Sequence, residues 1–294
     1  MSELICNDMK LHLEKILRNE IADQLQITGI IPVTGGDIHQ AFRVNTTNGR
    51  FFLKVNKASS ADIFRKEYHG LQLLAATAAL KVPAPLSFGQ FGDCSFLLLE
   101  WLERKPGTEK DWGKLGAGIA ALHRVSDVRF GLDENNYLAT LHQDNTCRDT
   151  WSQFYTENRL MPLGHSLAGK GLLTAADMDL LGLVCSKMAG LMPLEPPALL
   201  HGDLWHGNTM FVEEGPAIFD PAVYYGHRET DIAMTLLFAG FDQHFYDAYN
   251  ETYPLCSGWE DRTALFQLYP LLVHLKLFGA SYHDQVKEIL NRYA

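Results

Sequence analysis

Apolar side chains recur at helical spacing over about residues 8 to 26. Met9, Leu13, Ile16, Leu17, Ile21 and Leu25 share one face, and Asn7 or Asp8 stands as the cap. Ile27 to Val33 is then apolar and β-branched, and Gln40 to Thr46 and Arg50 to Val55 read as two further strands. Asn48-Gly49 between the last two is a hairpin turn, since both residues tolerate the positive φ that such a turn needs. Helical spacing returns from about Ser60 to Ala79 and stops before Val82-Pro83-Ala84-Pro85, which cannot continue it. Leu86 to Gln90 and Ser95 to Trp101 flank Gly92-Asp93 as a second hairpin. The order is helix, three strands, helix, two strands. The simplest assembly is a five-stranded sheet with one long helix packed on it.

The pattern changes at Arg104-Lys105-Pro106-Gly107. Trp112 to Val125 reads as a helix with Gly116, Ala117 and Ala120 on one side. The rest is mostly helical, broken by short strands around Met210-Phe211-Val212 and Ala217-Ile218-Phe219. This predicts an N-terminal lobe over 1–102 and a C-terminal lobe over 103–294, a size suited to one large domain or two lobes.

Composition narrows the function. The 294 residues are 47% hydrophobic and 20% charged, which is ordinary for a soluble globular enzyme. A net charge of -10 opposes nucleic acid and anionic membranes as partners, and requires any site for an anion to be locally positive. No basic-then-apolar leader opens the chain, no apolar run approaches the ~18 residues of a membrane span, and the five cysteines form no Cys-x-x-Cys pair. Reduced thiols in a cytoplasmic protein are the expectation.

The chemistry concentrates in His201-Gly202-Asp203-Leu204-Trp205-His206-Gly207-Asn208, with Phe219-Asp220-Pro221 beyond. The Asp-x-x-x-x-Asn spacing equals that of the protein-kinase catalytic loop, with His-Gly-Asp in place of His-Arg-Asp. Phosphoryl transfer needs a carboxylate to take the acceptor's proton, which Asp203 supplies, and hard oxygen donors for Mg²⁺, which Asn208 and Asp220 supply. Taken singly, each of these is a turn or cap residue; their joint spacing carries the functional reading. Upstream, Gly35-Gly36 in a strand-to-strand turn lets backbone N–H groups approach a phosphate, although such turns are commonly structural. Lys54 on an apolar strand is either a snorkelling edge residue or a phosphate-binding cation. The glycine turn before it and the helix bearing Glu67 after it favour the second reading, with Glu67 pairing and orienting Lys54. Glu100 and Leu102 end the sheet where backbone groups would meet an adenine edge. His201 reads as structural, and Asp231 as a helix cap that braces the catalytic loop. Trp205 is either core packing or a wall for a sugar face. Tyr224 and His227 are candidates for the acceptor pocket.

With these residues in view the chain resembles the fructosamine kinase (ketoamine 3-kinase) family, within the wider aminoglycoside-phosphotransferase and choline-kinase group. The His-Gly-Asp loop gives only the wider group. Trp205, Phe130-Gly131 with Asn136-Tyr137, Trp151 through Leu160, and Tyr224-Tyr225-Gly226-His227-Arg228-Glu229 narrow it. The resemblance implies an α+β, two-lobed protein-kinase-like fold: a five-stranded antiparallel N-lobe sheet with a helix, and a mostly helical C-lobe. It implies ATP- and Mg²⁺-dependent phosphorylation of the sugar 3-hydroxyl of fructosamines or ribulosamines, free or protein-bound, which amounts to deglycation. By the same matching Asp203 is the base, Asn208 and Asp220 bind metal, and Lys54 binds phosphate. A kinase of aminoglycoside or choline type, and a catalytically silent nucleotide-binding fold, are the alternatives. Some relatives carry Cys in the glycine loop, where it allows a disulfide-linked dimer. Asp37 stands there in this chain, so a monomer is expected.

Overall fold

The computed structural model describes residues 7–21, 23–34, 38–238 and 240–294. They divide into two compact units. The first runs to Pro106 and takes in Phe211–Asp220; the second comprises Gly107–Met210 and Pro221–Ala294. The inclusion of 211–220 in the first unit is a long-range packing event that no local pattern announces.

In the first unit, helix α1 (Asn7–Glu20) precedes strands β1 (Ile27–Val33), β2 (Gln40–Thr46) and β3 (Gly49–Lys57). Helix α2 (Ala61–Ala76) and strands β4 (Pro85–Phe91) and β5 (Cys94–Glu100) follow. The five strands form one antiparallel sheet in the order β1-β2-β3-β5-β4. The Asn48-Gly49 turn closes β2 on β3, pairing Thr46 with Gly49. Alternation sends Phe51, Leu53 and Val55 of β3, with Phe96 and Leu98 of β5, into a core shared with Met9, Leu13 and Leu17 of α1. The first helix stops short of its predicted end because its own side chains capture the backbone beyond it. Arg18 donates to Leu25 O at 2.8 Å, and Ile27 N–H donates to Glu14 Oε1 at 2.8 Å. Leu25 is therefore buried by a turn and not by a helix.

The second unit starts with α3 (Glu109–Leu122), opened by a capping box in which Thr108 and Asp111 exchange hydrogen bonds. Two short ladders follow: β6 (Asn136–Leu138) with β7 (Leu141–Gln143), and later β8 (Ala198–Leu200) with a strand at Tyr224–Gly226. Between them lie α4 (Trp151–Phe154), a wide π turn over Tyr155–Leu160, α5 (Met161–Ala168) and α6 (Ala175–Leu191). The chain returns to the first unit through β9 (Thr209–Val212) and β10 (Gly215–Ile218), which pair with each other, and Tyr224–Gly226, again in the second unit, is β11. Helices α7 (Glu229–Leu237), α8 (Gln243–Thr252), α9 (Trp259–Phe278) and α10 (His283–Tyr293) complete the chain. The small face of α3 lets α8 approach until a Cβ on Gly116 would stand 2.1 Å from Phe245 O.

Arg159 organises the core of this unit. It is 1% exposed, its guanidinium lies 4.6 Å from the ring centres of both Phe154 and Tyr224, and it donates to Asp144 O and Asn145 Oδ1. These bonds tie the 144–145 segment to the helical core, where the buried cation meets carbonyl oxygens and aromatic faces. No helix among the described residues is long and apolar enough to cross a membrane.

Candidate active site

In the first unit, Lys54 lies on the face of β3 opposite the α1 core, and it is 7% exposed. Helix α2 buries Phe64, Glu67, Leu71 and Leu74 along one stripe, so Glu67 points inward with the apolar residues. Its Oε1 accepts from Lys54 Nζ at 2.7 Å, and Lys54 also contacts Asp220 Oδ1. Asp220 takes a left-handed backbone, φ 58°, which costs a non-glycine residue roughly 1–2 kcal/mol and is a mark of functional sites. Nearby, His39 Nδ1 lies 2.7 Å from Asn56 Nδ2. Burial first, and the Lys54 charge second, hold its pKa down at about 4, so the ring is neutral at physiological pH. Gly35, Gly36 and Asp37 lie outside the described residues. The Glu100 carboxylate is engaged within the unit, accepting from Lys81 Nζ at 2.7 and 2.9 Å and from Ala84 N–H at 3.0 Å. Leu102 follows β5, half-buried.

In the second unit the loop that leaves β8 carries Asp203 and Asn208. His201 is fully buried, and its Nδ1 accepts from Asp203 N–H at 3.3 Å. Gly202 has φ 81°, and a Cβ there would meet Ala222 O at 2.1 Å; both facts require glycine. Asp231 stands in the first turn of α7, inside the helix and not at its cap. Its carboxylate accepts from His201 N–H at 2.7 Å and Gly202 N–H at 2.9 Å. The loop brace read from the sequence is thus present, with different local geometry.

Asn208 Nδ2 donates to Asp203 O at 2.9 Å and to Asp203 Oδ2 at 2.8 Å. This fixes the carboxylate and leaves the Asn208 amide oxygen, the atom a hard cation takes, free of that pairing. Asp203 retains partial exposure, yet protein surrounds its carboxyl group closely. Desolvation raises its pKa to about 7, the Asn208 bond opposes the rise, and the like charge of Asp231 adds to it.

Trp205 is not core: it is 37% exposed, touching Phe238 edge-on with ring centres 6.1 Å apart. Its indole lies across Gly207, where a Cβ would come within 2.3 Å of it. Tyr224 and His227 are corrected by the structure. Tyr224 is 1% exposed, stacked on Phe154 and capped by Arg159. His227 is fully buried against Phe266, with ring centres 5.0 Å apart. Burial pulls the His227 pKa down to about 4 against the opposing pull of Glu195. Neither side chain is available to a substrate. Alternation along β11 turns Tyr224 inward and leaves Tyr225 half-buried. Sequence reasoning also passed over His123, whose Nε2 lies 3.2 Å from Asp231 Oδ2. It closes the apolar face of α3, in a segment, Leu115 to His123, that is among those carrying the family resemblance, but no role attaches to it there.

No group of three or more His, Cys, Asp or Glu is gathered for a metal among the described residues. Asn208, in the second unit, offers an amide oxygen, and Asp220, in the first, a carboxylate; each is a hard donor of the kind Mg²⁺ takes.

A five-stranded antiparallel sheet with its buried Lys–Glu pair, and an Asp-x-x-x-x-Asn loop braced by a buried aspartate on a following helix, define the protein-kinase-like class of phosphotransferase fold. The fold is shared at 15% identity and a TM-score of 0.63 with a thermostable mutant of an aminoglycoside phosphotransferase in a ternary complex with AMP-PNP and hygromycin B, over 96% of this chain and 98% of that one.

Closer relatives settle the family. The fructosamine kinase family pattern matches residues 9–294. A probable ketoamine kinase of Enterococcus faecium is 39% identical over 279 residues, covering 93% of this chain and 98% of its own. The crystal structure of a candidate fructosamine-3-kinase from Haemophilus somnus superposes with a TM-score of 0.88 at 29% identity, covering 96% of each chain. The chain belongs to the fructosamine kinase family.

Proposed function

We propose that this protein transfers the γ-phosphoryl group of ATP to the 3-hydroxyl of the sugar in a ketoamine, a fructosamine or ribulosamine, and so initiates deglycation. The observation that carries the reading is the catalytic loop. Asp203 is a carboxylate fixed by Asn208, with a pKa near the working pH, and an exposed indole stands two residues away. The relatives' names, ketoamine kinase and fructosamine-3-kinase, support the acceptor class.

Phosphoryl transfer proceeds through a loose transition state, so the protein's work is positioning and charge stabilisation. Lys54, held by Glu67, binds phosphate oxygens of ATP; its burial makes that charge strong because little water screens it. Asn208 and Asp220 are the residues that would hold Mg²⁺, which when bound neutralises charge on the transferring phosphates. Asp203 accepts a hydrogen bond from the acceptor hydroxyl, orients its oxygen and takes its proton as the new bond forms. Trp205 presents a flat apolar face for the sugar, whose C–H faces pack on indole while its hydroxyls stay hydrogen-bonded.

ADP release is measured with ribulosyl-lysine, fructosyl-lysine, kanamycin and choline as acceptors. Turnover on a ketoamine in preference to the other two is the expected result, with Trp205→Ala raising the ketoamine KM about tenfold while the ATP KM holds. Turnover confined to kanamycin or choline overturns the assignment of the acceptor.

A further inference from the structure

A buried hydrogen-bond chain runs behind the catalytic loop and is used by none of the steps above. Asp231 Oδ2 already accepts from His201 N–H, and His123 Nε2 meets the same oxygen at 3.2 Å. His123 Nδ1 lies 2.8 Å from Tyr249 Oη, and Arg228 Nη1 lies 3.5 Å from that phenol oxygen. His123 closes α3, Asp231 lies in α7 and Tyr249 in α8, so one chain joins three helices to the loop. His123 is 2% exposed, and Tyr249 and Asp231 are no more than 1% exposed.

With His123 neutral, the chain has one direction. A carboxylate only accepts, so His123 Nε2 donates to Asp231. In the neutral ring Nδ1 is then the acceptor, and the Tyr249 hydroxyl donates to it. The phenol oxygen keeps lone pairs for Arg228, whose guanidinium is held by Glu195 at 2.7 Å and by Tyr253 O and Pro254 O, each at 2.7 Å. In that tautomer every donor in the chain points toward Asp231. Asp231 in turn spends one oxygen on His201 N–H and the other on Gly202 N–H, the two amides that precede Asp203.

We propose that His123 and Tyr249 are positioning residues for the catalytic base, acting through Asp231. They hold its carboxylate in the single orientation that serves both loop amides. The inference rests on the assignment of Asp203 as base for its kinetic consequence, but not for its structural one. Two readouts therefore separate the possibilities.

The first readout is amide hydrogen exchange of peptides covering His201–Asn208, which needs no substrate. Tyr249→Phe removes one hydroxyl and keeps the ring that packs near Phe245. It should speed exchange in that loop about tenfold while the β1–β5 sheet exchanges as in the parent. The second is steady-state kinetics with a ketoamine. Tyr249→Phe should lower kcat about 3- to 10-fold, the worth of one hydrogen bond, with the ATP KM within about twofold. His123→Ala should lower kcat further, and His123→Gln, which restores a donor toward Asp231, should recover part of the loss. Unchanged loop exchange in Tyr249→Phe overturns the proposal whatever the kinetics. Loosened exchange with an unchanged kcat overturns the kinetic role. An inactive parent enzyme refutes the acceptor reading alone and leaves the exchange result to decide this one.

Discussion

At the scale of single residues, two carboxylates of like chemistry are set to different tasks by their surroundings. Asp231 is saturated by two backbone amides and an imidazole, whereas Asp203 is held by one side-chain amide and desolvated. A pKa raised to about 7 means that Asp203 is protonated, and useless as a base, below that pH. kcat/KM should therefore rise as the pH passes through about 7, and a profile flat from pH 6 to 8 would contradict the assignment. Lys54 is bound to Glu67 as a buried pair, so Lys54→Met strands a carboxylate. That variant should lose about 3–5 kcal/mol of stability in urea titration and most of its phosphoryl transfer, while Lys54→Arg loses less stability. Spacing made Asp203, Asn208 and the Lys54–Glu67 pair legible in the sequence, because each is defined by its distance along the chain from a neighbouring element. Tyr224 and His227 were misplaced because a run of aromatic and polar residues does not say which of them faces inward. The buried Arg159 that claims Tyr224 arrives from a segment far away in sequence.

At the scale of elements, the first sheet could be read because its strands alternate and its turns carry Asn-Gly and Gly-Asp. The ladders β6–β7 and β8–β11 could not, since three residues per strand are too few to show a period and their pairing is long-range. Helix α3 starts at Glu109, ahead of the Trp112 that its apolar spacing indicates. Thr108 with Asp111, and Thr174 with Asp177, are capping boxes visible in the sequence, and both open their helices in the structure. The turn after β8 depends on Gly202 in a left-handed conformation, packed against Ala222 O. Gly202→Ala should abolish turnover and cost about 3 kcal/mol or more, since a Cβ meets both torsional strain and a backbone clash there. Wild-type stability and rate in that variant would refute the close approach.

At the scale of the whole molecule, stability should depend on pH through buried histidines. His227 is held at about 4 when folded, against 6.5 as the ordinary value, so the unfolded chain binds the extra proton between those limits. Stability is full above pH 6.5 and is lost as the pH falls toward 4. His227 alone should remove about 2 kcal/mol between pH 7 and pH 5, and His39 acts in the same direction. His227→Gln should flatten that dependence in urea titrations; an unaltered slope would place the proton uptake elsewhere. The segments that narrow the family, Phe130–Tyr137 and Trp151–Leu160, prove to be builders of the second unit. Gly131 pairs with Tyr225, Asn136 donates to Val223 O at 2.7 Å, and Arg159 sits at the centre. They frame the surroundings of the 201–208 loop, while the proposed phosphoryl transfer is left to a handful of side chains. The most direct test of that division of labour is phosphorus NMR of the purified protein with Mg²⁺, ATP and ribulosyl-lysine, run beside Asp203→Asn. In the parent a new sugar-3-phosphate resonance should grow in step with ADP. In Asp203→Asn ATP binding should be retained with no such resonance. A phosphate ester formed equally fast by both proteins would rule out Asp203 as the base.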